Sequence, residues 1–260
     1  MNDESRFRSA APFYARFRPP YPGALIGQIV ARCGLDGSGR LLDLGCGPGP
    51  LAIALAPHVG TVVAMDPEPE MLAEAEIAAA AAGVRLQLVR GGSRDLAGAP
   101  GRFRLVTMGR SFHWMDRDAT LAALDRLVLP DGWIAVLGER PVDGAPGWRA
   151  AWERVGRKWS GPAWAPRDRR RAPDWEPHDA VLARSAFAAI ERLSVRELRT
   201  TPLDAIVGRA YSMSSTSPAA LGDNRAAFES ELREALAPFV RGGGVPEESC
   251  FEALLARRPG

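Results

Sequence analysis

Short aliphatic runs alternate with longer amphipathic segments along the first half of the chain. Five runs have the length and the composition of buried strands: Arg40–Leu44, Thr61–Met65, Leu86–Val89, Leu105–Met108 and Trp133–Leu137. The segments around them have helical apolar spacing: Leu25–Cys33, Leu51–Ala56, Pro69–Ala82 and Ala119–Leu127. Strands that alternate with helices in this way predict an α/β fold with a parallel sheet and right-handed crossovers.

This alternation stops after Glu139. Residues 140–190 are rich in Trp, Arg and Pro, and they predict an insertion of helices and loops. Beyond the insertion, the pattern predicts a sixth strand, two helical segments and a last strand: Ser194–Thr200, Asp204–Met213, Pro218–Val240 and Cys250–Arg257. Trp148, Trp152 and Trp159 share one helical face, which either packs internally or lines a substrate pocket.

Composition narrows the class of protein. The chain has 260 residues and a formal net charge of +2, which is too balanced to indicate nucleic acid or an anionic membrane as partner. We find no apolar stretch of about 18 residues and no signal peptide, and we therefore expect a cytoplasmic protein. The three cysteines have no ligand spacing and the histidines number only three, so we expect no metal site.

A glycine-rich turn after the first strand is the most informative motif. Gly45, Gly47 and Gly49 lie between the apolar strand and the helical segment that starts at Leu51. Glycines let backbone amides approach a ligand closely, and a helix N-terminus directs free N–H groups at the turn. This order predicts a nucleotide site. Its G-x-G-x-G spacing departs from the G-x-G-x-x-G of dinucleotide sites, because Pro50 occupies the place of the last glycine.

A carboxylate follows at the end of the second strand. Asp66 lies about 20 residues past the glycine turn, where an acid can accept both ribose hydroxyls of a nucleotide. The alternative interpretation is a helix N-cap. Met71, in the next helix, either packs on an adenine ring or belongs to the core.

Several motifs occur in the order and spacing of one family. They are a D-x-G-x-G-x-G run from Asp43, the acid Asp66, and Phe112-His113-Trp114 followed by Asp116, all preceded by the Tyr- and Pro-rich arm at 14–22. The chain resembles the class I S-adenosylmethionine-dependent methyltransferases, in particular a small-molecule subgroup that carries the Phe-His-Trp segment. The resemblance implies a three-layer Rossmann-like fold with a seven-stranded, mostly parallel sheet, an antiparallel last strand and a mostly helical lid.

The same resemblance implies four segments. Residues 1–22 form an arm over the cofactor, and residues 23–140 form the Rossmann-like cofactor-binding core. Residues 141–190 form a Trp- and Arg-rich helical lid, and residues 191–260 complete the core and the substrate pocket. A cluster of arginines in the lid either meets an acidic substrate or belongs to a solvated loop: Arg167, Arg169, Arg170 and Arg171.

The implied cofactor is S-adenosyl-L-methionine, with S-adenosyl-L-homocysteine as product. In the family, the glycine turn holds the amino-acid end of the cofactor, and the loop after strand three contacts adenine. In this chain Ser93 and Arg94 of that loop are the candidate adenine contacts; the alternative is an ordinary glycine loop without a ligand. Arg18 suits the methionine carboxylate or is a surface arginine. The expected cofactor-binding residues are Tyr14, Arg18, Asp43, Gly45, Cys46, Gly47, Gly49, Asp66, Pro67, Met71, Ser93, Arg94 and Gly109.

Candidate substrate residues follow the fourth strand or lie in the late helices. They are Phe112, His113, Trp114, Tyr211 and Ser214. Ligands of such sheets lie outside the carboxyl ends of the strands. His113 is the candidate catalytic residue, as a general base or a substrate-orienting group; the alternative is a packed histidine that shapes the pocket. A carboxylate acceptor needs no base, whereas a phenol gains from one, so the role depends on the acceptor.

The resemblance therefore implies an enzyme of biosynthesis that methylates an oxygen, nitrogen or carbon of a small molecule, such as a secondary metabolite or an acidic or aromatic compound. Two alternatives remain at this point. A nicotinamide (NAD)-dependent oxidoreductase would share the strand, the turn and the ribose acid, and a protein that binds S-adenosylmethionine could catalyse other chemistry. We expect a small-molecule substrate, no nucleic-acid or membrane partner, and a monomer or homodimer.

Overall fold

The structure, a computed structural model, describes residues 8–99, 101–142, 147–164 and 173–260. Its strands are β1 (Arg40–Leu44), β2 (Thr61–Asp66), β3 (Gln87–Arg90), β4 (Phe103–Gly109), β5 (Val128–Pro141), β6 (Ala189–Thr201) and β7 (Val245–Arg257). Within the described ranges its α-helices are α1 (Ala11–Phe17), α2 (Gly23–Arg32), α3 (Pro50–Leu55), α4 (Pro69–Ala81), α5 (Arg117–Leu127), α6 (Trp148–Ser160), α7 (His178–Ala183), α8 (Leu203–Tyr211), α9 (Pro218–Leu221) and α10 (Arg225–Leu236).

The strands form one seven-stranded sheet in the order β3-β2-β1-β4-β5-β7-β6. Strands β1 to β5 pair in parallel with their neighbours, whereas the end of the sheet carries an antiparallel last strand. The predicted Rossmann-like, mostly parallel sheet is confirmed. Because the strand order reverses between β1 and β4, the carboxyl ends of these two strands flank the crevice where doubly wound folds bind ligands.

The chain folds into two compact units. The sheet unit comprises Pro20–Arg140, Glu176–Val195 and Cys250–Gly260. The helical unit comprises Met1–Pro19, Pro141–Trp175 and Arg196–Ser249. Strands β6 and β7 contribute residues to both units.

Both faces of the sheet are buried at the central strand β1. Along β1, Leu41 belongs to one apolar cluster, whereas Leu42 and Leu44 belong to another, since successive side chains point to opposite faces. All three leucines are fully buried. A parallel sheet requires this double coverage, and it explains why its strands are continuous aliphatic runs in the sequence.

The helical unit has an apolar core of its own. Trp148 of α6, Ile206 of α8 and Phe228 of α10 are buried together in it. Trp152 and Trp159 are partly buried against the same cluster, and the Trp159 indole donates a hydrogen bond to Glu231 Oε2 at 2.8 Å. The tryptophan face of α6 is therefore a packing face.

Four elements differ clearly in extent from the sequence-based expectation. Strands β6 and β7 begin at Ala189 and Val245, five residues before the predicted starts at Ser194 and Cys250. Strand β5 starts at Val128 instead of Trp133, because an irregular step lets Val128 pair with Phe103 before Trp133 pairs with Leu105. The predicted helix Pro218–Val240 is divided at Gly222, whose φ of +52° ends α9. The arginines at 167–171 lie outside the described residues. None of the described helices combines the length and apolarity that crossing a membrane would take.

Candidate active site

The glycine turn (Gly45–Gly49) connects β1 to α3 and is hydrogen-bonded to β2. The N–H groups of Gly45 and Cys46 both donate to Met65 O, at 2.8 and 3.0 Å. Gly45 has a φ of +68°, and a Cβ at this position would lie 2.6 Å from Ser111 Cβ. Only glycine satisfies both the left-handed backbone and this close approach.

Asp43 lies beneath the glycine turn and is almost completely buried, with 1% exposure. Its Oδ1 accepts from the Thr107 hydroxyl at 2.7 Å, and its Oδ2 accepts from the Ala52 N–H at 3.2 Å. These bonds join β1 to β4 and to the first turn of α3. Burial raises the pKa of Asp43 to about 7, against the lowering effect of its hydrogen bonds.

Asp66 is hydrogen-bonded to the glycine turn from the end of β2. Its Oδ2 accepts from the Gly47 N–H at 2.8 Å, and its Oδ1 accepts from the Glu68 N–H at 3.0 Å. Helix α4 begins after Glu68, so Glu68 and not Asp66 occupies the N-cap position. Burial raises the pKa of Asp66, although both backbone bonds favour its charged form. The structure therefore ties the predicted ribose acid to the glycine turn itself.

The loop after β3 also contacts the end of β2. Gly91 N–H donates to Asp66 O at 3.1 Å, and Gly92 N–H donates to the Asp95 carboxylate at 2.8 Å. Ser93 is half-buried and Arg94 is exposed. Nearby, Met71 of α4 is 4% exposed and Pro67 is exposed. The contacts of these side chains with adenine remain predictions.

The segment from the last residue of β4 to Trp114, here called the β4 loop (Gly109–Trp114), lies against the glycine turn. Ser111 Oγ donates to Leu44 O at 2.8 Å. Phe112 is buried. His113 is half-buried with its ring centroid 5.0 Å from that of Trp114, and Trp114 is 41% exposed. Three of the predicted substrate residues thus share one short loop beside the glycine turn.

Gly109 begins this loop at a crowded position. A Cβ there would lie 2.5 Å from Leu51 Cδ1 and 2.6 Å from the Tyr21 hydroxyl. A side chain at Gly109 would displace one of these groups, so glycine is required for packing at the carboxyl end of β4.

The remaining predicted site residues belong to the helical unit. They are Tyr14, Arg18, Tyr211 and Ser214. The Arg18 guanidinium lies 4.9 Å from the centroid of the Tyr14 ring, and its Nε donates to Ser212 Oγ at 2.8 Å. The Tyr211 hydroxyl donates to Glu229 at 2.7 Å, and burial together with this bond raises the Tyr211 pKa to about 12. The roles of these residues toward cofactor or acceptor stay predictions.

Among the described residues, no group of three or more His, Cys, Asp or Glu side chains is arranged to hold a metal ion. Sequence analysis missed three contributors to the site. Thr107 supports Asp43, Ser111 joins the β4 loop to β1, and Arg110 adopts a left-handed backbone. A hydroxyl on a buried strand, as at Thr107, is the one signal that the sequence offered for them.

Comparisons with known proteins agree with this geometry. A family model described as a methyltransferase domain matches residues 41–132. The chain is 28% identical over 219 residues to an uncharacterised methyltransferase of Mycobacterium tuberculosis strain H37Rv, covering 82% of this chain and 79% of that protein. It is 37% identical over 113 residues to a trans-aconitate 2-methyltransferase of M. tuberculosis strain H37Ra, covering 42% of this chain and 40% of that one.

Solved structures show the same fold. A methyltransferase from Thiobacillus denitrificans in complex with S-adenosyl-L-homocysteine has a TM-score of 0.54 and 15% identity, with both chains covered completely. A putative methyltransferase from Bacillus halodurans has a TM-score of 0.57 and 17% identity, covering 90% of this chain and 99% of that one.

The fold and the glycine turn define a Rossmann-like protein with a candidate nucleotide site at the ends of β1, β2 and β4. Residues 41–132 match a methyltransferase domain, and the chain is a methyltransferase that uses S-adenosyl-L-methionine as cofactor. The expectation of methyl transfer is confirmed over the oxidoreductase alternative. The residues present fit this cofactor, because a turn with three glycines and two buried carboxylates suit a ligand with a cationic end and ribose hydroxyls.

Proposed function

We propose that this enzyme methylates a small-molecule acceptor and that the acceptor is an organic acid. The position of the β4 loop carries the proposal. Ser111 bonds to Leu44, so the segment with His113 and Trp114 follows at the carboxyl end of the strand beside the glycine turn. Ligands of doubly wound sheets lie in that crevice. The similarity to a trans-aconitate 2-methyltransferase supports an acid as the class of acceptor.

The described contacts support a role for each part of the cofactor site. Asp66, held by two backbone N–H groups, is oriented to accept ribose hydroxyls. The glycine turn and the buried carboxylate of Asp43 suit the cationic amino-acid end. Ser93 and Met71 are the adenine contacts in this proposal.

The bound cofactor supplies an electrophilic methyl group on a positively charged sulfur. The chain's own residues have to align the acceptor with that methyl group and exclude water. A carboxylic acid with a pKa near 4 is already an anion at neutral pH and can attack without a base. His113 then orients the acceptor, and Trp114, which is 41% exposed, contributes apolar surface beside it.

Methyl transfer to a panel of acceptors tests the proposal. The enzyme is incubated with S-adenosyl-L-methionine and with aliphatic acids, aromatic acids or phenols, and S-adenosyl-L-homocysteine is quantified by mass spectrometry. Methyl esters release methanol on alkaline treatment, whereas methyl ethers do not. We expect turnover with acids, and we expect alkaline treatment to release as much methanol as S-adenosyl-L-homocysteine was formed. Turnover with phenols alone would contradict an acid acceptor while leaving methyl transfer intact.

The substitution His113→Gln separates an orienting role from a basic one. With an acid acceptor we expect kcat within about threefold of wild type and a higher KM, since no proton has to be removed. A loss of about 10²–10⁴-fold in kcat would identify His113 as a general base and contradict the orienting role.

A further inference from the structure

Arg110 has the most unusual backbone of the β4 loop. Within the part of the chain that the structure describes, it alone among non-glycine residues has a positive φ, at +57°. A left-handed conformation is strained for a residue with a Cβ, and it persists where the surroundings hold it. The turn separates β4, which ends at Gly109, from the Phe-His-Trp segment.

Several contacts hold this turn in the sheet unit. Arg110 N–H donates to Leu137 O at 2.9 Å, which ties the turn to β5. Its Nη2 donates to Glu139 Oε2 at 3.2 Å, and the two side chains are only 10% and 14% exposed. The guanidinium also lies 4.7 Å from the centroid of the Tyr21 ring. A buried ion pair and a cation–π contact thus fix the side chain from two directions.

The charge of Arg110 is compensated by these contacts. Because Glu139 neutralises it at hydrogen-bond distance, Arg110 is poorly suited to attract an acidic acceptor directly. Its geometry suits another task, which is to determine where the following residues go.

The residues after Arg110 contact the end of β1 and the glycine turn. Ser111 bonds to Leu44 O, and its Cβ occupies the space that a side chain at Gly45 would need. His113 and Trp114 follow within three residues. The direction in which the chain leaves Arg110 therefore determines how the Phe-His-Trp segment faces the glycine turn.

We propose that Arg110 is a positioning residue for methyl transfer: its guanidinium, held by Glu139 and Tyr21, maintains the left-handed turn that orients His113 and Trp114 toward the acceptor. This proposal rests on the proposed function for the identity of the acceptor site, and it does not depend on whether the acceptor is an acid.

Three substitutions separate the side chain from the backbone. Arg110→Gly removes the guanidinium but allows the left-handed turn, Arg110→Ala removes the guanidinium and strains the turn, and Arg110→Lys keeps a cation for Glu139. We expect Arg110→Gly to lower kcat by about tenfold or more, since small misplacement of reacting groups is costly. Arg110→Lys should recover part of that loss, and Kd for S-adenosyl-L-homocysteine should stay within about twofold of wild type in all three.

A matched control is available at the opposite end of β5. Asp125 pairs with Arg258 at 2.8 Å, and Arg258 also donates to Leu129 O. Asp125→Asn breaks this ion pair in the same unit and should leave kcat and KM unchanged. Wild-type kcat in Arg110→Gly would overturn the proposal, because the backbone turn would then suffice without the guanidinium.

Hydrogen exchange distinguishes this proposal from the proposed function. With saturating S-adenosyl-L-homocysteine and no acceptor, amides 110–115 should exchange faster in Arg110→Gly and in Glu139→Gln than in wild type or in Asp125→Asn. This result supports the positioning role even if no acid or phenol is turned over, in which case the proposed acceptor fails. Unchanged exchange in both variants overturns the positioning role whatever the acceptor.

Discussion

Buried carboxylates in the two units are stabilised in opposite ways. In the sheet unit, Asp43 and Asp66 accept bonds from a hydroxyl and from backbone N–H groups, and burial raises the pKa of both. In the helical unit, Glu247 is fully buried but accepts from both terminal nitrogens of Arg209, at 2.8 and 3.0 Å, and from Thr201. Burial alone would raise the pKa of Glu247, and the contacts with Arg209 lower it instead.

The difference distinguishes a carboxylate that is neutralised within the folded protein from two carboxylates that we propose to bind the cofactor. Glu247 already has its cation, so its charge is compensated in the folded protein. Within the described residues, Asp43 and Asp66 form hydrogen bonds but no ion pair with a basic side chain. A carboxylate that is buried without a cation can bind a positively charged group or hydroxyl donors, and S-adenosyl-L-methionine has both.

The largest expected effect concerns Glu247. Glu247→Gln leaves the Arg209 charge buried without its counter-ion, which should lower the free energy of unfolding by about 3–5 kcal/mol. Denaturant unfolding measures this change. Glu231→Gln, which weakens the exposed ion pair with Lys158 in the same unit, should cost less than about 1 kcal/mol. Equal losses in both variants would refute a structural role for the buried pair.

The second effect concerns pH and Asp43. Its pKa in the folded protein, about 7, exceeds the value near 3.9 of an unfolded chain. Between these values the folded protein holds a proton that the unfolded chain has lost, so the free energy of unfolding should fall as pH rises from about 4 to about 7, by on the order of 2–4 kcal/mol. Denaturant unfolding of wild type and Asp43→Asn at pH 5 and 7.5 isolates this contribution. A stability difference between them that is independent of pH would exclude the raised pKa.

The third effect concerns cofactor affinity. Asp66→Asn keeps an acceptor for one backbone N–H but loses the charge, so binding of S-adenosyl-L-homocysteine should weaken by about 1–3 kcal/mol. Calorimetric titration gives the Kd. Asp36→Asn serves as control, because Asp36 is exposed and bonds to Ser38. An affinity of Asp66→Asn equal to that of the control would remove Asp66 from the binding site.

The smallest effect compares two glycines with positive φ in the sheet unit. Gly45→Ala and Gly37→Ala both strain the backbone, at φ of +68° and +87°. At Gly37 a Cβ would meet nothing within 4 Å, whereas at Gly45 it would lie 2.6 Å from Ser111 Cβ. Gly45→Ala should therefore be less stable than Gly37→Ala by about 1–2 kcal/mol, as seen in thermal unfolding. Equal stabilities would mean that the β4 loop shifts at Ser111 and makes room for the added Cβ without cost.

Local pattern predicted most of the sheet unit. The aliphatic runs of β1, β2 and β4 and the glycine turn carry their signals within a few neighbouring residues, and these elements form where the sequence places them. The start of β5 was wrong because the segment Leu129–Gly132 has the composition of a turn, while its pairing with β4 depends on a partner strand.

The electrostatic differences could not be predicted from the sequence. Arg209 and Glu247 are 38 positions apart, and nothing local distinguishes them from exposed charges. The left-handed backbone of Arg110 lies among contacts with Leu137, Glu139 and Tyr21 that form only in the folded chain. The sequence identified Asp43 and Asp66 as candidate site residues, whereas only the tertiary structure shows that Glu247 is paired with a cation and that these two are not.

Proton release on ligand binding tests this comparison most directly. S-Adenosyl-L-homocysteine is titrated into the wild-type enzyme at pH 7 by calorimetry in two buffers of different ionisation enthalpy. A cationic amino group that approaches Asp43 should lower its pKa below 7, so we predict release of a fraction of a proton per ligand, which Asp43→Asn abolishes and Glu247→Gln retains. A binding heat independent of the buffer would contradict the claim that the cofactor supplies the cation that pairs with Asp43.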